Sequence, residues 1–249
     1  MAKDKFDMDK SVNNSEQTYK VYTAGRMFGH HELAFNAFLK EAVWRLSNKK
    51  FELVLPQSNQ PPDLDKPDPA LRIRNFDLMH VLKTDLLLVV FDGEESDSGA
   101  VVEYIFAKFL GKPTVILRSD SRGLNSTAFD DPYNLMAKSW PRNVVVHVDS
   151  MSVFSKNFSV GLNNNVKEMS LDEIIQQEVL AAKAGFELIG QKVAEALEQA
   201  LQMPSPYPEQ YQELVYQAAR FAPGSGFDKD LSEIELDEII NQLQNKGSF

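Results

Sequence analysis

The sequence predicts an α/β fold built on an open, five-stranded parallel sheet with helices on both faces, followed by a helical extension. Apolar runs of strand length alternate with stretches of helical periodicity over residues 19–148. One run, DLLLVVF at 85–91, is continuously apolar, as expected of a strand buried on both faces of a parallel sheet. Alternating strands and helices of this kind form parallel sheets with right-handed crossovers.

Five strands and three helices are predicted before residue 150. The strands are YKVYTAG (19–25), FELVLP (51–56), DLLLVVF (85–91), PTVILR (113–118) and NVVVHV (143–148). The helices are predicted over 31–48, 68–83 and 98–110. Asp68 can cap the second helix, and Gly111 can end the third. A long irregular segment, 119–142, precedes the fifth strand.

The chain divides into three parts by composition. Residues 1–18 are polar and are predicted to form a flexible tail. One α/β domain is predicted at 19–202, ending in a helix over 171–201. A helical extension at 203–249 begins with the helix-breaking segment MPSPYP. The apolar stripe of its last predicted helix, at 231–243, is expected to pack against the domain or a neighbouring subunit.

Composition argues against several classes of function. The net charge is −10 and no long run of Lys or Arg is present, which argues against nucleic-acid and anionic-membrane partners. Cysteine is absent, which removes disulfides and thiol nucleophiles and fits a reducing compartment. The first residues lack the apolar segment of a secretory signal, and the longest apolar run, 86–91, is too short to span a bilayer. We therefore expect a soluble cytoplasmic protein.

The sequence lacks the common metal and nucleotide motifs. His30 and His31 are adjacent, whereas two metal ligands on one helix face are three or four residues apart, so we interpret them as polar residues at a helix start. No Walker or GxGxxG pattern is present, and no GxSxG turn supports a serine hydrolase. We expect neither a metal ion nor an organic cofactor.

Carboxylates concentrate after the third predicted strand. The segment VVFDGEESDSGAVVE places Asp92, Glu94, Glu95 and Asp97 in a loop and Glu103 on the helix behind it. Solvation is the simpler interpretation of a single loop carboxylate. Glu103, in contrast, lies among Val, Ile and Phe residues, so we expect it at a partly buried edge, where burial raises a carboxyl pKa and the helix amino terminus lowers it.

Several carboxylates lie on segments that are predicted to converge at one end of the sheet. They are Asp77, Asp92, Asp97 and Glu103, and ligand sites of parallel α/β sheets lie beyond the carboxyl ends of the strands. Paired carboxylates in a cleft perform glycosidic chemistry, in which one attacks the anomeric carbon and another handles the proton of the leaving group. Asp85, which opens the third strand, is expected to be structural instead.

Five pieces of the chain, in order, resemble the nucleoside 2-deoxyribosyltransferase family. They are VYTAGRMF, NFDLMHVLKTDLLLVVFDG, DSGAVVE, GKPTVILRSDSR and DPYNLM. The spacing agrees as well, since Asp77 precedes Glu103 by 26 residues and Asp97 precedes it by 6. The resemblance implies a flavodoxin-like fold and a transferase that moves the 2-deoxyribosyl group between nucleobases through a covalent glutamyl intermediate.

The resemblance also implies roles for individual residues. Glu103 would be the nucleophile, Tyr22 would orient its carboxylate, and Asp77 and Asp97 would bind the base and sugar and assist proton transfer. The implied substrate-binding residues are Asp92, Gln57, Gly25 and Asn134. In the family, the residue at the last of these positions reaches the sugar 5′-hydroxyl from a neighbouring subunit. The implied partners are therefore 2′-deoxynucleosides, free purine or pyrimidine bases, and further copies of the chain in a dimer or larger homo-oligomer.

The chain departs from the family at several positions, and two alternative functions stay open. Arg26 stands where many members have Pro, Ile105 stands where many have Gly, and 203–249 has no counterpart. One alternative is a 2′-deoxynucleoside 5′-monophosphate N-glycosidase of the same superfamily, with Arg26 on the phosphate, although the acidic loop would repel that phosphate. The other is a non-catalytic nucleotide-binding protein that uses its C-terminal helices for interaction.

Overall fold

The protein forms one five-stranded parallel sheet. The structure, a computed structural model, describes residues 17–59, 61, 65, 67–120, 134–161, 169–224 and 226–249. The strands are β1 (Tyr19–Ala24), β2 (Phe51–Val54), β3 (Leu86–Val90), β4 (Thr114–Arg118) and β5 (Asn143–His147). They lie in the order β2-β1-β3-β4-β5, and each neighbouring pair is parallel. The predicted open α/β sheet is thereby confirmed.

Helices follow the strands and continue beyond them. Within the described residues they are α1 (His30–Leu46), α2 (Pro69–Lys83), α3 (Ser98–Phe109), α4 (Ser150–Gly161), α5 (Leu171–Leu201), α6 (Glu209–Ala219), α7 (Phe227–Asp230) and α8 (Glu233–Asn245). Short 3₁₀ turns occupy Pro56–Ser58 and Leu135–Ala137. The described helices include none that is both long and apolar enough to cross a membrane.

The sheet separates two apolar cores, because alternate residues of a strand point to opposite faces. Val21 of β1 belongs to the core with residues of α1 and α5, whereas Tyr22 belongs to the core with residues of α2 and α3. All five residues of β3 are buried and are divided between these two cores. The prediction that DLLLVVF is covered on both faces is therefore confirmed.

The ends of the first three helices agree with the sequence-based predictions, except for the predicted cap at Asp68. Helix α1 begins at His30, and the Glu32 carboxylate accepts a hydrogen bond of 2.7 Å from the Gly29 amide. Gly111 follows α3 with φ +72°, as its predicted role requires. Asp68 is the N-cap residue of α2, but its side chain makes no capping hydrogen bond. Its φ of +58° is left-handed, whereas a capping side chain needs extended backbone to reach the first free amides.

Helix α4 was not expected from the sequence. The segment SMSVFSKNFSVG interrupts its apolar residues with serines, and none of its residues is fully buried. Helix α4 is instead stabilised by lying along α5. The last helix also differs slightly from the one predicted at 231–243, since it starts at Glu233 with Ser232 as its cap, and the short α7 precedes it.

The extension packs on the α2 and α3 side of the sheet. Phe227, Leu236 and Ile240 are buried in the same core as Tyr22 and Tyr104. Most of the apolar stripe of α8 is therefore covered by its own chain, whereas Ile234 is exposed.

Asp85 joins this extension to the amino edge of the sheet. Its carboxylate accepts hydrogen bonds from the Lys20 amide (2.7 Å), the Lys246 ammonium (2.9 Å) and the Ser248 hydroxyl (3.0 Å). The expectation that Asp85 is structural is confirmed. Residues 246–249 consequently lie at the edge of the sheet opposite to the acidic loop that follows β3.

Two predicted segments fall mainly outside the described residues. Of the predicted tail at 1–18, only 17 and 18 are described. Of the predicted irregular segment at 119–142, residues 121–133 also lie outside the described part of the chain.

Candidate active site

Tyr22 and Glu103 form the centre of the candidate site. Tyr22 lies on β1 and its side chain is only 1% exposed, because it points into the core between the sheet and helices α2 and α3. Its hydroxyl donates a hydrogen bond of 2.6 Å to Oε1 of Glu103. Hydrogen bonds to an ionised carboxylate are short and strong, so this contact holds the Glu103 side chain in one orientation.

Glu103 is half-buried because it lies on the inward side of α3. Its neighbours on that side, Ala100 and Ala107, are buried, and Val102 on the outer side is exposed. Burial raises the pKa of Glu103 to about 7, and the negative charges of Asp77 and Asp97 add to this increase. The Tyr22 hydrogen bond opposes it, because it stabilises the ionised form.

Asp77 brings a second carboxyl group with an altered pKa to the same place. It lies on α2, and burial raises its pKa to about 6, against an opposing effect of His80. The charge of Asp77 acts on both Tyr22 and Glu103. Burial, followed by the two nearby carboxylates, raises the pKa of Tyr22 far above its ordinary value, so its hydroxyl stays protonated and keeps donating. The three side chains therefore form one electrostatically linked cluster.

His80 also belongs to this cluster, and sequence reasoning missed it. Its ring lies 6.5 Å from the Tyr22 ring and 4.4 Å from the Phe76 ring, centroid to centroid. Its Nδ1 is 2.9 Å from the Phe76 carbonyl, and because a carbonyl only accepts, Nδ1 must carry the hydrogen. The available signal was its position one helical turn after Asp77 in DLMH.

Asp97 lies at the amino end of the helix that carries Glu103. Its Oδ1 accepts a hydrogen bond of 2.9 Å from the Ala100 amide, so its carboxylate caps α3. Its charge still acts on Glu103. The structure therefore brings Asp97 into electrostatic contact with the cluster while one of its oxygens is engaged in capping.

Asp92 lies in a separate network that joins the ends of β3 and β4. Its carboxylate accepts hydrogen bonds from the Ser119 amide (2.5 Å) and from the Ser119 hydroxyl. Burial raises its pKa, and these bonds oppose the increase. Next to it, Asp120 accepts from the Gly93 amide (2.8 Å) and from Arg118 Nε (2.9 Å). The contacts of Asp92 are thus with β4 and not with the Tyr22–Glu103 pair.

Gln57 and Gly25, two of the predicted substrate-binding residues, make close contacts within their own chain. The Gln57 amide donates to the Leu33 carbonyl (3.1 Å) and accepts from Asn36 Nδ2 (2.9 Å), which ties the turn after β2 to α1. A side chain added at Gly25 would bring its Cβ within 3.2 Å of the Val90 Cβ. Glycine is therefore suited to the close approach of the ends of β1 and β3.

Asn134 is exposed and lies on the other side of α3 from Glu103. It lines a cavity of 840 Å³ together with residues that include Ser98, Ile105 and Trp140. Residues two positions apart on a helix differ by about 200° in direction, so Ile105 faces away from Glu103. Within a single chain, the structure therefore does not bring Asn134 to the Tyr22–Glu103 pair. The Ile105 that departs from the family pattern borders this cavity.

The other departure, Arg26, contacts the acidic loop. Its guanidinium donates a hydrogen bond of 2.9 Å to the Glu95 carbonyl and lies against Gly93. In the part of the chain that the structure describes, no group of three or more His, Asp or Glu residues is arranged to hold a metal ion.

Part of the chain is similar to known proteins. Residues 21–136 match the family profile described as nucleoside 2-deoxyribosyltransferase. No curated protein matches the chain significantly. Among solved structures, a conserved protein from Enterococcus faecalis V583 is 26% identical over 64% of this chain and 99% of that one, with a TM-score of 0.46. A 2-deoxyribosyltransferase from Bacillus psychrosaccharolyticus is 16% identical over 62% of this chain and 95% of that one, with a TM-score of 0.41.

The matched region contains every residue of the carboxylate cluster, from Tyr22 on β1 to Glu103 on α3. Over these residues, 21–136, which are just under half of the chain, the protein is similar to the nucleoside 2-deoxyribosyltransferase family.

Proposed function

We propose that the protein transfers the 2-deoxyribosyl group of a 2′-deoxynucleoside from one nucleobase to another through an ester on Glu103. The observation that carries this proposal is the 2.6 Å hydrogen bond from Tyr22 to Glu103 in a buried setting beside Asp77. It combines an oriented carboxylate with a second carboxyl group whose pKa lies near neutrality. Glycosidic chemistry through a covalent intermediate requires these two groups.

In the first step, a Glu103 oxygen attacks C1′ of the sugar while the bond from C1′ to the base nitrogen breaks. The electron pair of that bond leaves with the base, which takes up a proton. Asp77 is the better suited donor, because burial raises its pKa to about 6, so a fraction of it is protonated near neutral pH. Asp97 is less suited, since one of its oxygens caps α3.

In the second step, a ring nitrogen of the incoming base attacks C1′ and the ester bond to Glu103 breaks. The incoming base loses its ring proton to the Asp77 carboxylate, which restores the starting protonation. Two successive displacements at C1′ retain the configuration of the nucleoside. The absence of a 2′-hydroxyl makes an oxocarbenium-like transition state easier to reach, which suits a site built from carboxylates.

Tyr22 assists both steps through the same hydrogen bond. By holding Oε1 of Glu103, it directs the remaining oxygen toward the sugar and limits the conformations of the nucleophile. By stabilising negative charge on the carboxylate, it also makes Glu103 a better leaving group in the second step.

The test is to incubate the protein with deoxyinosine and cytosine, and separately with deoxyinosine alone, and to separate the products by chromatography. The proposal predicts deoxycytidine and hypoxanthine in the first mixture and little free deoxyribose in the second. Release of deoxyribose at equal rates in both mixtures would instead indicate a hydrolase. Cleavage of deoxyinosine 5′-monophosphate in preference to deoxyinosine would assign it to the N-glycosidase alternative. Binding without turnover would indicate a non-catalytic protein.

A further inference from the structure

Helix α5 has two apolar sides along its first half, and among the residues that the structure describes only one of these sides is covered over its whole length. On the inner side, Ala181 is buried, and the Gln177 amide donates a hydrogen bond of 3.2 Å to the Asn157 carbonyl of α4. The second half of α5, from Ile189 onward, is buried against the sheet. Among the described elements, the first half therefore lies along α4 and reaches α1 only at its end, through Phe186, and α4 has no fully buried residue of its own.

The other side of this half carries a continuous apolar row, which we name the outer stripe. Its members are Leu171, Ile175, Val179, Ala182 and Phe186. Steps of four, four, three and four residues keep them on one face of a helix. Leu171 is 70% exposed, Ile175 47% and Val179 49%.

The outer stripe continues onto α1. The Phe186 ring lies 5.1 Å from the ring of Phe38, which is 55% exposed, and 5.8 Å from the ring of Phe35. Apolar side chains therefore follow one another from Leu171 to Phe38 and are not scattered singly, and continuous apolar patches mark interaction sites.

We propose that the outer stripe is an interface with a second copy of this chain, in which α5 packs antiparallel against the partner's α5 around a two-fold axis. Charge complementarity supports this choice. Asp172 and Lys183 are exposed and eleven residues apart, which is about three helical turns, so they lie on the same flank of the stripe. In an antiparallel pair, residues on the same flank face each other, so Asp172 can meet the partner's Lys183 on both sides of the axis.

The same two-fold axis also brings apolar residues of the outer stripe together. The point halfway between Asp172 and Lys183 is within one residue of the point halfway between Ile175 and Val179. The arrangement that pairs the charges therefore also packs Ile175 against the partner's Val179. One two-fold axis satisfies both sets of contacts, and on the opposite flank the same axis sets Glu178 near the partner's Glu178, a single like-charge contact against two attractive pairs.

Other occupants fit the surface less well. An anionic membrane is disfavoured, because the same half of α5 carries Asp172, Glu173 and Glu178 and the chain has a net charge of −10. The stripe lies on the α1 and α5 side of the sheet, whereas Tyr22 points to the α2 and α3 side. This inference therefore does not depend on the proposed function, and it concerns a surface different from the one that carries Asn134.

Light scattering over a range of protein concentrations, with paired charge reversals, tests the proposal. Asp172→Lys and Lys183→Asp should each weaken association about tenfold, because each change places like charges together in two symmetry-related pairs. The double variant should restore the wild-type mass, since it recreates both pairs with reversed sign. Glu195→Lys, an exposed charge reversal on the same helix away from the stripe, should leave the mass unchanged.

A second measurement uses the absence of cysteine from the chain. Ile175→Cys and Val179→Cys proteins, mixed under conditions that allow subunit exchange, should form a disulfide-linked dimer more readily than either protein alone. Ile175→Glu with Val179→Glu should lower the particle mass while the circular dichroism spectrum stays unchanged. A wild-type monomer at all concentrations, an unchanged mass in this last variant, or failure of the double charge reversal to restore association would each overturn the proposal.

Discussion

The Tyr22 hydroxyl donates a 2.6 Å hydrogen bond to Glu103 and so joins β1 to the middle of α3. The two residues are 81 positions apart in the chain. The contact exists because β1 and β3 are neighbours in the sheet and the chain leaves β3 to form α3 over the same face. In the proposed reaction, this contact orients the nucleophile and stabilises its charge.

Removal of this hydroxyl should change how the activity depends on pH. In Tyr22→Phe, the hydrogen bond that lowers the pKa of Glu103 is lost, so the pKa of Glu103 should rise above about 7. The acid side of the profile should then move to higher pH, and the rate at pH 6.5 should fall about 10–100-fold. Initial rates of base exchange between pH 5 and pH 9 measure both effects. Tyr19→Phe is the matched control, and a lower rate with an unmoved profile would show that Tyr22 acts only through packing.

The wild-type profile itself should be bell-shaped. Glu103 must be ionised to attack, so activity should fall as the pH drops below its pKa of about 7. Asp77 must be protonated to assist the leaving base, so activity should fall as the pH rises above its pKa of about 6. The product of the two fractions is greatest between these values. Asp77→Asn should remove the alkaline decline, and an unaltered alkaline limb would assign the acid role to another group.

Ionisation of the buried Glu103 carboxyl group should also lower the stability of the folded protein at alkaline pH. The pKa of Glu103 is raised from an ordinary value of 4.5 to about 7, so its neutral form is favoured in the folded protein. Its contribution is therefore fully present below pH 4.5 and is lost as the pH rises through 7. Glu103→Gln cannot ionise, so it should melt about 5 °C above the wild type at pH 8 and close to it at pH 4.5.

The exposed Glu238→Gln serves as the control in these melting experiments, since its side chain lies at the surface. Its melting temperature should follow that of the wild type at both pH values. A Glu103→Gln protein that is less stable than the wild type at pH 8 would contradict a pKa raised by burial.

Asn134 should act across a subunit boundary. Within one chain it lines a cavity on the side of α3 opposite to Glu103, and the family resemblance predicts that it reaches the site of a neighbour. Glu103→Ala and Asn134→Ala proteins should each be nearly inactive. Mixing them with subunit exchange should recover part of the activity, because some sites then receive both intact side chains. Proven exchange without any recovery would show that Asn134 does not serve a neighbouring site.

Much of the fold could be predicted because its strands carry a strong local signal. The run at 86–91 is apolar throughout, a pattern expected of a strand that is covered on both faces. Helix α4 could not be predicted in this way, because its serines interrupt the apolar pattern and its stability comes from α5. The prediction that the Asp68 side chain caps α2 was wrong for a similar reason. The residue type alone does not reveal that the backbone at Asp68 is left-handed.

The candidate site was less accessible to reasoning from the sequence. Resemblance to a family, and not spacing, predicted the pairing of Tyr22 with Glu103, because no local pattern links residues so distant in the chain. His80 was missed because its one sequence signal, its position a helical turn after Asp77, gains meaning only once Tyr22 and Asp77 are known to lie together in space. The engagement of Asp92 by Ser119 likewise depends on how β3 and β4 end side by side.

The central claim, that Glu103 carries the sugar, is tested most directly by trapping the intermediate. A 2-fluoro-arabinosyl nucleoside forms the ester but slows its breakdown, because the fluorine destabilises the positive charge of the transition state. Digestion and mass spectrometry of the treated protein should then show one added sugar on the peptide that contains Glu103, and none in Glu103→Gln. An adduct on Asp77, Asp92 or Asp97, or base exchange without any adduct and with full activity in Glu103→Gln, would contradict the claim.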